Sequence, residues 1–162
     1  MGLRLGKELA INMETQIVVA GYGITKNKLL LIKHKKLGLW LPVGGHIDKN
    51  EVPDDALVRE FREEVGLEIR ILNRNDLPAE GNVKRQLAEP FHVNVHNVGD
   101  HDHCCLFYLC EIINPDKIQI NKDEVSGYRF IEYGLLSLYN DIPPDVRNTG
   151  KRAFDLYSQL DK

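Results

Sequence analysis

With 162 residues, of which 43% are hydrophobic and 28% charged, the chain can bury a core and is not expected to be disordered. Its net charge of −3 argues against a general nucleic-acid binder, although small anionic ligands remain open. No apolar run is long enough to span a membrane. Residues 1–12 lack the hydrophobic region of a signal peptide, which predicts a cytoplasmic protein with a short N-terminal extension.

The first elements along the chain predict a β-hairpin. Thr15–Thr25 is rich in β-branched residues, and Leu29–Lys33 is an apolar run typical of a buried strand. Pro42 then follows a short apolar stretch and is expected to stop regular strand pairing. We therefore predict that Gly44 and Gly45 lie in a loop.

A helix is predicted next, over residues 53–65. Pro53 suits the first helical turn, where a missing N–H costs nothing, and Gly66 suits the left-handed position that ends a helix. Its apolar residues recur at helical spacing and predict one face packed on a sheet. That face contains Leu57, Val58, Phe61 and Val65.

The rest of the chain predicts further strands and a closing helix. Alternating or continuous apolar runs indicate the strands, and a Pro-Pro pair before an amphipathic segment indicates the helix. Residues 73–88 are polar and are predicted to form a loop. The predicted strands are Leu67–Leu72, Phe91–Val98 (half-exposed), Cys104–Ile113 and Gly127–Ile131, and the closing helix is Asp145–Leu160.

Three carboxylates share one face of the first helix. Glu60, Glu63 and Glu64 are spaced i, i+3 and i+4, and Ala56 beside them is expected to leave room above the carboxylates. Their mutual repulsion would be removed by a divalent cation such as Mg²⁺ or Mn²⁺, which prefer oxygen ligands. The alternative interpretation is a solvated acidic face paired with neighbouring arginines.

The helix lies within a longer pattern that favours the metal site. From Gly45 to Leu67 the chain matches every fixed position of G-x5-E-x7-R-E-U-x-E-E-x-G-U, where U is a bulky aliphatic or aromatic residue. This segment resembles the Nudix box. The resemblance implies an α/β fold, the Nudix α/β/α sandwich with a mixed central β-sheet flanked by helices, as one domain over residues 1–162.

The resemblance also implies an activity and its cofactor. The expected protein is a Mg²⁺- or Mn²⁺-dependent pyrophosphohydrolase acting on a nucleoside diphosphate linked to another group. Nucleoside triphosphates, nucleotide sugars and ADP-ribose all remain open as substrates, because the box positions only the diphosphate. Many members form dimers, so a homodimer is compatible with the resemblance.

The residues of the box take their expected roles from the same resemblance. Glu60, Glu63 and Glu64 match the metal-binding carboxylates, and Gly45 matches the loop glycine whose carbonyl often joins the metal shell. Arg59 matches the arginine that orients the acidic cluster by ion pairing. A further residue, Glu51, matches the glutamate that supports the loop.

Catalysis also needs a base to activate water or a fourth carboxylate to complete the metal shell. In the family this group often lies on a late loop before a short strand that ends in an aromatic residue. Glu124 occupies such a loop and is the predicted group, with Asp123 as the alternative. Glu63 or Glu64 could instead supply the base, and a solvated acidic turn is the plain structural interpretation.

The run from His101 to Cys105 invites a zinc hypothesis, which the spacing disfavours. Adjacent residues on a strand face opposite ways, and no second Cys or His pair lies at ligand spacing. A loop that leads into a buried strand is preferred. The three cysteines, Cys104, Cys105 and Cys110, are predicted to be reduced and buried.

A few residues outside these motifs are candidates for contacts with a substrate. Tyr22 and Trp40 could stack on a nucleobase, although packing in the core is preferred for both. His46 follows the box glycine and is a candidate phosphate contact by location alone. One of His92 and His96 could face the cleft, and the sequence does not choose between them.

Two other functions are compatible with the same fold. A non-catalytic nucleotide-sensing Nudix module would keep the fold without turnover, but such proteins usually have a degraded box or an added DNA-binding domain. An isoprenyl diphosphate isomerase would need a variant box. The intact box from Gly45 to Leu67 therefore favours the hydrolase.

Overall fold

The computed structural model describes residues 14–73 and 76–160, so the predicted extension over residues 1–12 lies outside the described residues. Eight strands in these ranges form one sheet. The strands are β1 (Thr15–Thr25), β2 (Lys28–His34), β3 (Trp40–Leu41), β4 (Val43–His46), β5 (Ile69–Ile71), β6 (His92–Asn97), β7 (Asp102–Ile112) and β8 (Val125–Glu132). The helices are α1 (Pro53–Val65), α2 (Tyr133–Leu136) and α3 (Pro144–Leu160), and Pro115–Lys117 forms a single 3-10 turn.

The sheet is mixed because its two longest strands are parallel to each other. β1 and β7 pair in parallel from Thr15–Asp102 to Ile24–Glu111, and every other strand pair in the described sheet is antiparallel. The order β3-β2-β1-β7-β5 forms the main path, with β8 on β2, β4 on β1 and β6 on β7. The predicted mixed central sheet is confirmed.

Apolar residues cover both faces of this sheet and pack against helices. α1 packs on one face through Leu57, Phe61 and Val65, which are fully buried, so the predicted apolar stripe is confirmed. α3 packs on the other face through residues such as Phe154, beside the buried Tyr22. Together these layers form the predicted α/β/α sandwich.

The end of α1 follows the predicted stop signal. Gly66 has φ 66°, the left-handed conformation that favours glycine, and its N–H donates to the carbonyl of Arg62 at 3.1 Å. The next N–H, of Leu67, donates to the carbonyl of Phe61 at 3.2 Å. Ala56, which was expected beside the carboxylates, is buried in the apolar core between α1 and the sheet.

The glycine pair does not form the predicted loop. Gly44 and Gly45 lie in strand β4, opposite Ala20 and Val19 of β1. The predicted interruption of strand pairing is limited to Pro42, which lies between β3 and β4 and has no N–H to donate. Short strands therefore flank a single unpaired residue where a continuous loop was expected.

Other differences from the sequence predictions lie at element ends. β7 begins at Asp102 and β8 at Val125, each two residues earlier than predicted, whereas β5 is confined to Ile69–Ile71. α2 was not predicted, since four residues are too few to give a periodic pattern. β6 forms where expected, but its valines are exposed (Val93 48%, Val95 62%).

None of the helices within residues 14–73 and 76–160 has the length and hydrophobicity needed to cross a membrane.

A methyl group at Gly44 is expected to disrupt the β4–β1 pairing. Its Cβ would overlap the carbonyl oxygen of Val19 and lie 2.8 Å from the Cα of Ala20, and both obstacles are backbone. Gly44→Ala should therefore lower the free energy of unfolding by about 1–3 kcal/mol, measured by urea denaturation. Gly134→Ala is the control, since nothing lies within 4 Å of its Cβ and no loss is expected. Equal stability of both variants would contradict the close approach of β4.

Candidate active site

One guanidinium group connects the loop and helix of the box. Arg59 uses all five of its N–H groups, at 2.8–3.1 Å, so the rigid fork has no free donor. Nε and Nη2 donate to the two oxygens of Glu51, and Nη2 also donates to the carbonyl of His46. Nη1 donates to Glu60 Oε1 and Glu63 Oε2. Arg59 thereby holds α1, the loop at Glu51 and the end of β4 in one fixed arrangement.

Glu51 fixes the loop that precedes the helix. Its Oε2 also accepts the backbone N–H of Asp48 at 2.9 Å, and Asp48 lies 3.6 Å from Arg59 Nε. The hydrogen bonds from Arg59 lower the pKa of Glu51, so the carboxylate stays charged. This loop is therefore stabilised mainly by charge-assisted hydrogen bonds between Arg59, Glu51 and the main chain of Asp48.

The three carboxylates of α1 differ in exposure. Glu60 and Glu64 are buried (9% and 4% exposed), whereas the Glu63 side chain is 54% exposed. Burial is the main cause that raises the pKa of Glu64 to about 8, and the negative charge of Glu60 adds to it. Burial also raises the pKa of Glu60, against the opposing effect of Arg59. Glu60 and Glu64 therefore lie close together, and the positive charge near them does not balance two ionised carboxylates.

The surroundings of these carboxylates fit a divalent cation. Glu64 Oε2 has no hydrogen-bond partner within the described part of the chain, although it is buried. A Cβ at Gly45 would overlap Glu60 Oε1 and lie 2.6 Å from the carboxyl carbon, so only glycine brings its main chain this close. A buried, unpaired oxygen beside a second carboxylate and a close backbone is a donor set that Mg²⁺ or Mn²⁺ would satisfy.

The loop that carries the predicted base is attached to the end of α1. The N–H of Asn121 donates to the carbonyl of Glu64 at 2.8 Å, and the N–H of Gln119 donates to that of Val65 at 2.9 Å. The structure places Glu124 close enough for its charge to raise the pKa of both Glu60 and Glu64.

The candidate aromatic contacts are part of the core. Tyr22 is fully buried, and its hydroxyl donates to the carbonyl of Val146 at 3.2 Å. Trp40 is 7% exposed, donates from Nε1 to Asp141 at 3.1 Å, and is covered by the guanidinium of Arg129 at 4.0 Å from the ring centroid. Neither ring is open for stacking on a nucleobase. The preferred prediction, that both rings pack in the core, is confirmed.

The cysteines are all free, and two of them are buried as predicted. Cys105 and Cys110 are buried, whereas Cys104 is half-buried. The prediction of a loop before Cys104 is wrong in part, because Asp102 and His103 already belong to β7.

A second cluster was missed by the sequence argument. One ring nitrogen from each of His46, His101 and His103 lies within 4.8 Å of the others. His46 is 55 positions away from His101, so no local spacing rule connects them; only the pairing of β4 and β7 with β1 does. Burial, followed by the neighbouring histidines, lowers the pKa of His103 to about 4, so this ring is neutral near pH 7.

The fold agrees with comparisons to known proteins. The NUDIX domain model matches residues 14–152, so the chain belongs to the NUDIX domain family of pyrophosphohydrolases. A NUDIX-family hydrolase from Clostridium perfringens is 27% identical, with a TM-score of 0.78 over 90% of this chain and 99% of that chain. No curated protein is significantly similar in sequence to this chain.

Two more distant structures share the fold. A MutT protein from Methanosarcina mazei Go1 is 15% identical, with a TM-score of 0.70 over 93% of this chain and 99% of that chain. An Ap4A hydrolase from C. elegans is 16% identical, with a TM-score of 0.65 over 90% of this chain and 97% of that chain. The Nudix fold is thereby confirmed.

Replacing Arg59 by lysine should weaken the site although the charge is kept. An ammonium group offers three donors at one point and cannot reach the acceptors that the guanidinium fork holds. Arg59→Lys should lower the free energy of unfolding by about 1–3 kcal/mol and weaken Mn²⁺ binding, measured by denaturation and calorimetry. Arg62→Lys is the matched control on the same helix, since its pair with Glu68 is solvent-exposed and contributes little. An equal loss in both variants would contradict the special role of the Arg59 network.

The buried Glu64 should make the metal-free protein less stable at alkaline pH. Its folded pKa of about 8 lies above the ordinary value of 4.5, so its stabilising contribution is present below about pH 4.5 and is lost as the pH rises toward 8. In EDTA, the Tm of Glu64→Gln relative to wild type should rise by at least about 2–4 °C between pH 5 and pH 8. Scanning calorimetry across this range measures the difference.

Titrating groups that do not interact with Glu64 cancel in that difference, because both proteins carry them. Glu89→Gln removes an exposed carboxylate and should show a constant difference from wild type. Added Mg²⁺ should stabilise wild type more than Glu64→Gln at pH 8. A difference that stays constant with pH in EDTA would show that Glu64 ionises at its ordinary pKa.

Proposed function

We propose that the protein is a Mg²⁺- or Mn²⁺-dependent hydrolase that cleaves the pyrophosphate bond of a nucleoside diphosphate linked to another group. The observation that carries this proposal is the pair of buried carboxylates on α1. Glu60 packs against the main chain of Gly45 and shares Arg59 with other acceptors, and Glu64 Oε2 has no hydrogen-bond partner within the described residues. Such a pair is costly in the absence of metal and suited to binding one.

In this proposal the chain supplies a preformed set of ligands. Glu60, Glu63 and Glu64 hold the cation together with the carbonyl of Gly45. Arg59 is a positioning residue, since its five donors are occupied by protein acceptors and none is free to reach substrate. When bound, the cation supplies charge neutralisation for the phosphoryl oxygens and lowers the pKa of bound water.

The proposed reaction is attack of water on phosphorus, with cleavage of the bond to the bridging oxygen. Glu124 accepts the proton that water loses, and the two products each retain a phosphate group. The charge effect of Glu124 on Glu60 and Glu64 supports its choice as the base. Glu63 remains an alternative base because it is the most exposed of the three box carboxylates.

The substrate class is left at the level of a nucleoside diphosphate derivative. An Ap4A hydrolase and a UDP-X diphosphatase share the fold at 16% and 12% identity, which is too low to transfer either substrate. Both names justify adding dinucleoside polyphosphates and nucleotide sugars to a substrate panel. Nucleoside triphosphates and ADP-ribose complete the panel.

Turnover of one class in this panel should require Mg²⁺ or Mn²⁺, with products separated by ion-exchange chromatography. Glu64→Gln should lower kcat/KM by about 100-fold or more, because a metal ligand is lost. Glu124→Gln should lower kcat by about 10²–10⁴-fold, as for loss of a general base. Glu89→Gln, an exposed glutamate outside the cluster, should leave both parameters unchanged.

The other outcomes decide between the alternatives. Full activity of Glu64→Gln in EDTA would contradict the metal-dependent mechanism. A large loss in Asp123→Asn with normal Glu124→Gln would transfer the base to Asp123. Metal-dependent nucleotide binding without turnover of any substrate would favour the nucleotide-sensing module.

A further inference from the structure

We propose that His46, His101 and His103 form a second metal site, for a Zn²⁺-like transition-metal ion, separate from the carboxylate cluster. One ring nitrogen of each lies within 4.8 Å of the other two. The Nε2 atoms of His101 and His103 are 3.1 Å apart. Tetrahedral Zn²⁺ with Zn–N bonds of about 2.0–2.1 Å places its ligand nitrogens about 3.3–3.4 Å apart, so small side-chain movements complete the site.

The sheet register assembles this cluster from two strands and a turn. His103 of β7 is paired with Gln16 of β1, and His46 of β4 is paired with Val18, two residues further along β1. Residues two apart on a strand share a face, so the rings of His46 and His103 lie on the same side, with centroids 5.1 Å apart. His101, two residues before His103, joins them from the turn between β6 and β7, with its centroid 4.9 Å from that of His103.

Neighbouring acceptors orient two of the three rings. The Oδ1 of Asp100 accepts from Nδ1 of His101 at 2.6 Å, which leaves Nε2 of His101 unprotonated and facing Nε2 of His103. The Oε1 of Gln16 accepts from Nε2 of His46 at 2.6 Å, which leaves the Nδ1 lone pair of His46 free. A carboxylate or amide behind a ligating histidine is the arrangement that fixes its tautomer in metal sites.

The donor chemistry separates this cluster from the magnesium site. Neutral imidazole suits Zn²⁺, Cu²⁺ and Ni²⁺, whereas Mg²⁺ and Ca²⁺ prefer oxygen ligands. Three histidines leave a fourth position for water or an anionic group. His96 stands next to the cluster, with its centroid 5.5 Å from that of His103, and its Nδ1 is bonded to Asn94 at 3.0 Å.

The two sites lie on opposite faces of one strand. Gly45 is paired with Val19, which packs on the α1 face, and His46 is paired with Val18, which packs on the α3 face. The carbonyl of His46 nevertheless accepts from Arg59 at 2.9 Å. An ion bound by the histidines would therefore connect the end of β4 to the β6–β7 turn. It would also restrain the carbonyl of His46, which is one of the acceptors of Arg59.

Zinc binding in the presence of excess Mg²⁺ tests this proposal. Excess Mg²⁺ occupies the carboxylate cluster, and equilibrium dialysis of the full chain should then retain one Zn²⁺ per molecule. His101→Ala and His103→Ala should each lose the bound Zn²⁺, and Asp100→Ala should weaken it by about 10- to 100-fold. The control His92→Ala removes an exposed histidine of β6 outside the cluster and should bind as wild type does.

Two further measurements locate the bound Zn²⁺, one on wild type and one on Glu60→Gln. In wild type, Zn²⁺ should shift the imidazole ¹⁵N resonances of His46, His101 and His103 and leave that of His92 in place, so the result does not depend on a variant folding. Retention of Zn²⁺ by both histidine variants, with its loss in Glu60→Gln, would place the ion at the carboxylates and overturn the proposal. Since none of these measurements uses turnover, failure here is distinguishable from failure of the proposed hydrolase.

Discussion

The five hydrogen bonds of Arg59 are the constraint on which the rest of the site depends. They connect α1 to Glu51 in the preceding loop and to the main chain of His46 at the end of β4. They also neutralise part of the charge on Glu60 and Glu63, but none reaches Glu64. Because the guanidinium has no donor left, the charge on Glu64 has no cation within this network to balance it. The proposed metal-binding position therefore lies where the hydrogen bonds of Arg59 end.

The second constraint is the close approach of β4 to its neighbours. Gly44 lies against the main chain of β1, and Gly45 lies against the carboxylate of Glu60, so side chains are excluded at both positions. β1 is long enough to pair with β4 along its middle and with β2 at its end. The strand that builds the core therefore also positions the main chain that faces the carboxylates. Replacement of either glycine would therefore disturb the packing of β4, and with it the proposed metal site.

Local sequence signals predicted α1 well, because periodicity, the proline start and the glycine stop all act within the helix itself. They also located the main strands, with errors of one or two residues at the ends. They failed where structure depends on distant pairing. Gly44 and Gly45 have the composition of a loop, yet strand β1, more than twenty positions earlier, makes them a strand. The histidine cluster was missed for the same reason, since His46 meets His101 only through the sheet.

Alternation along β4 places two different donor sets back to back. Gly45 contributes its main chain near the carboxylates of α1, while the next residue, His46, contributes its ring to the histidines on the opposite face. The His46 carbonyl, bonded to Arg59, connects the two sides through a single peptide unit. A ligand that orders β4 from one face would lower the cost of ordering it from the other, and the resulting coupling must be the same in both directions. The short strand between the sites is therefore the element through which occupancy of one would be sensed at the other.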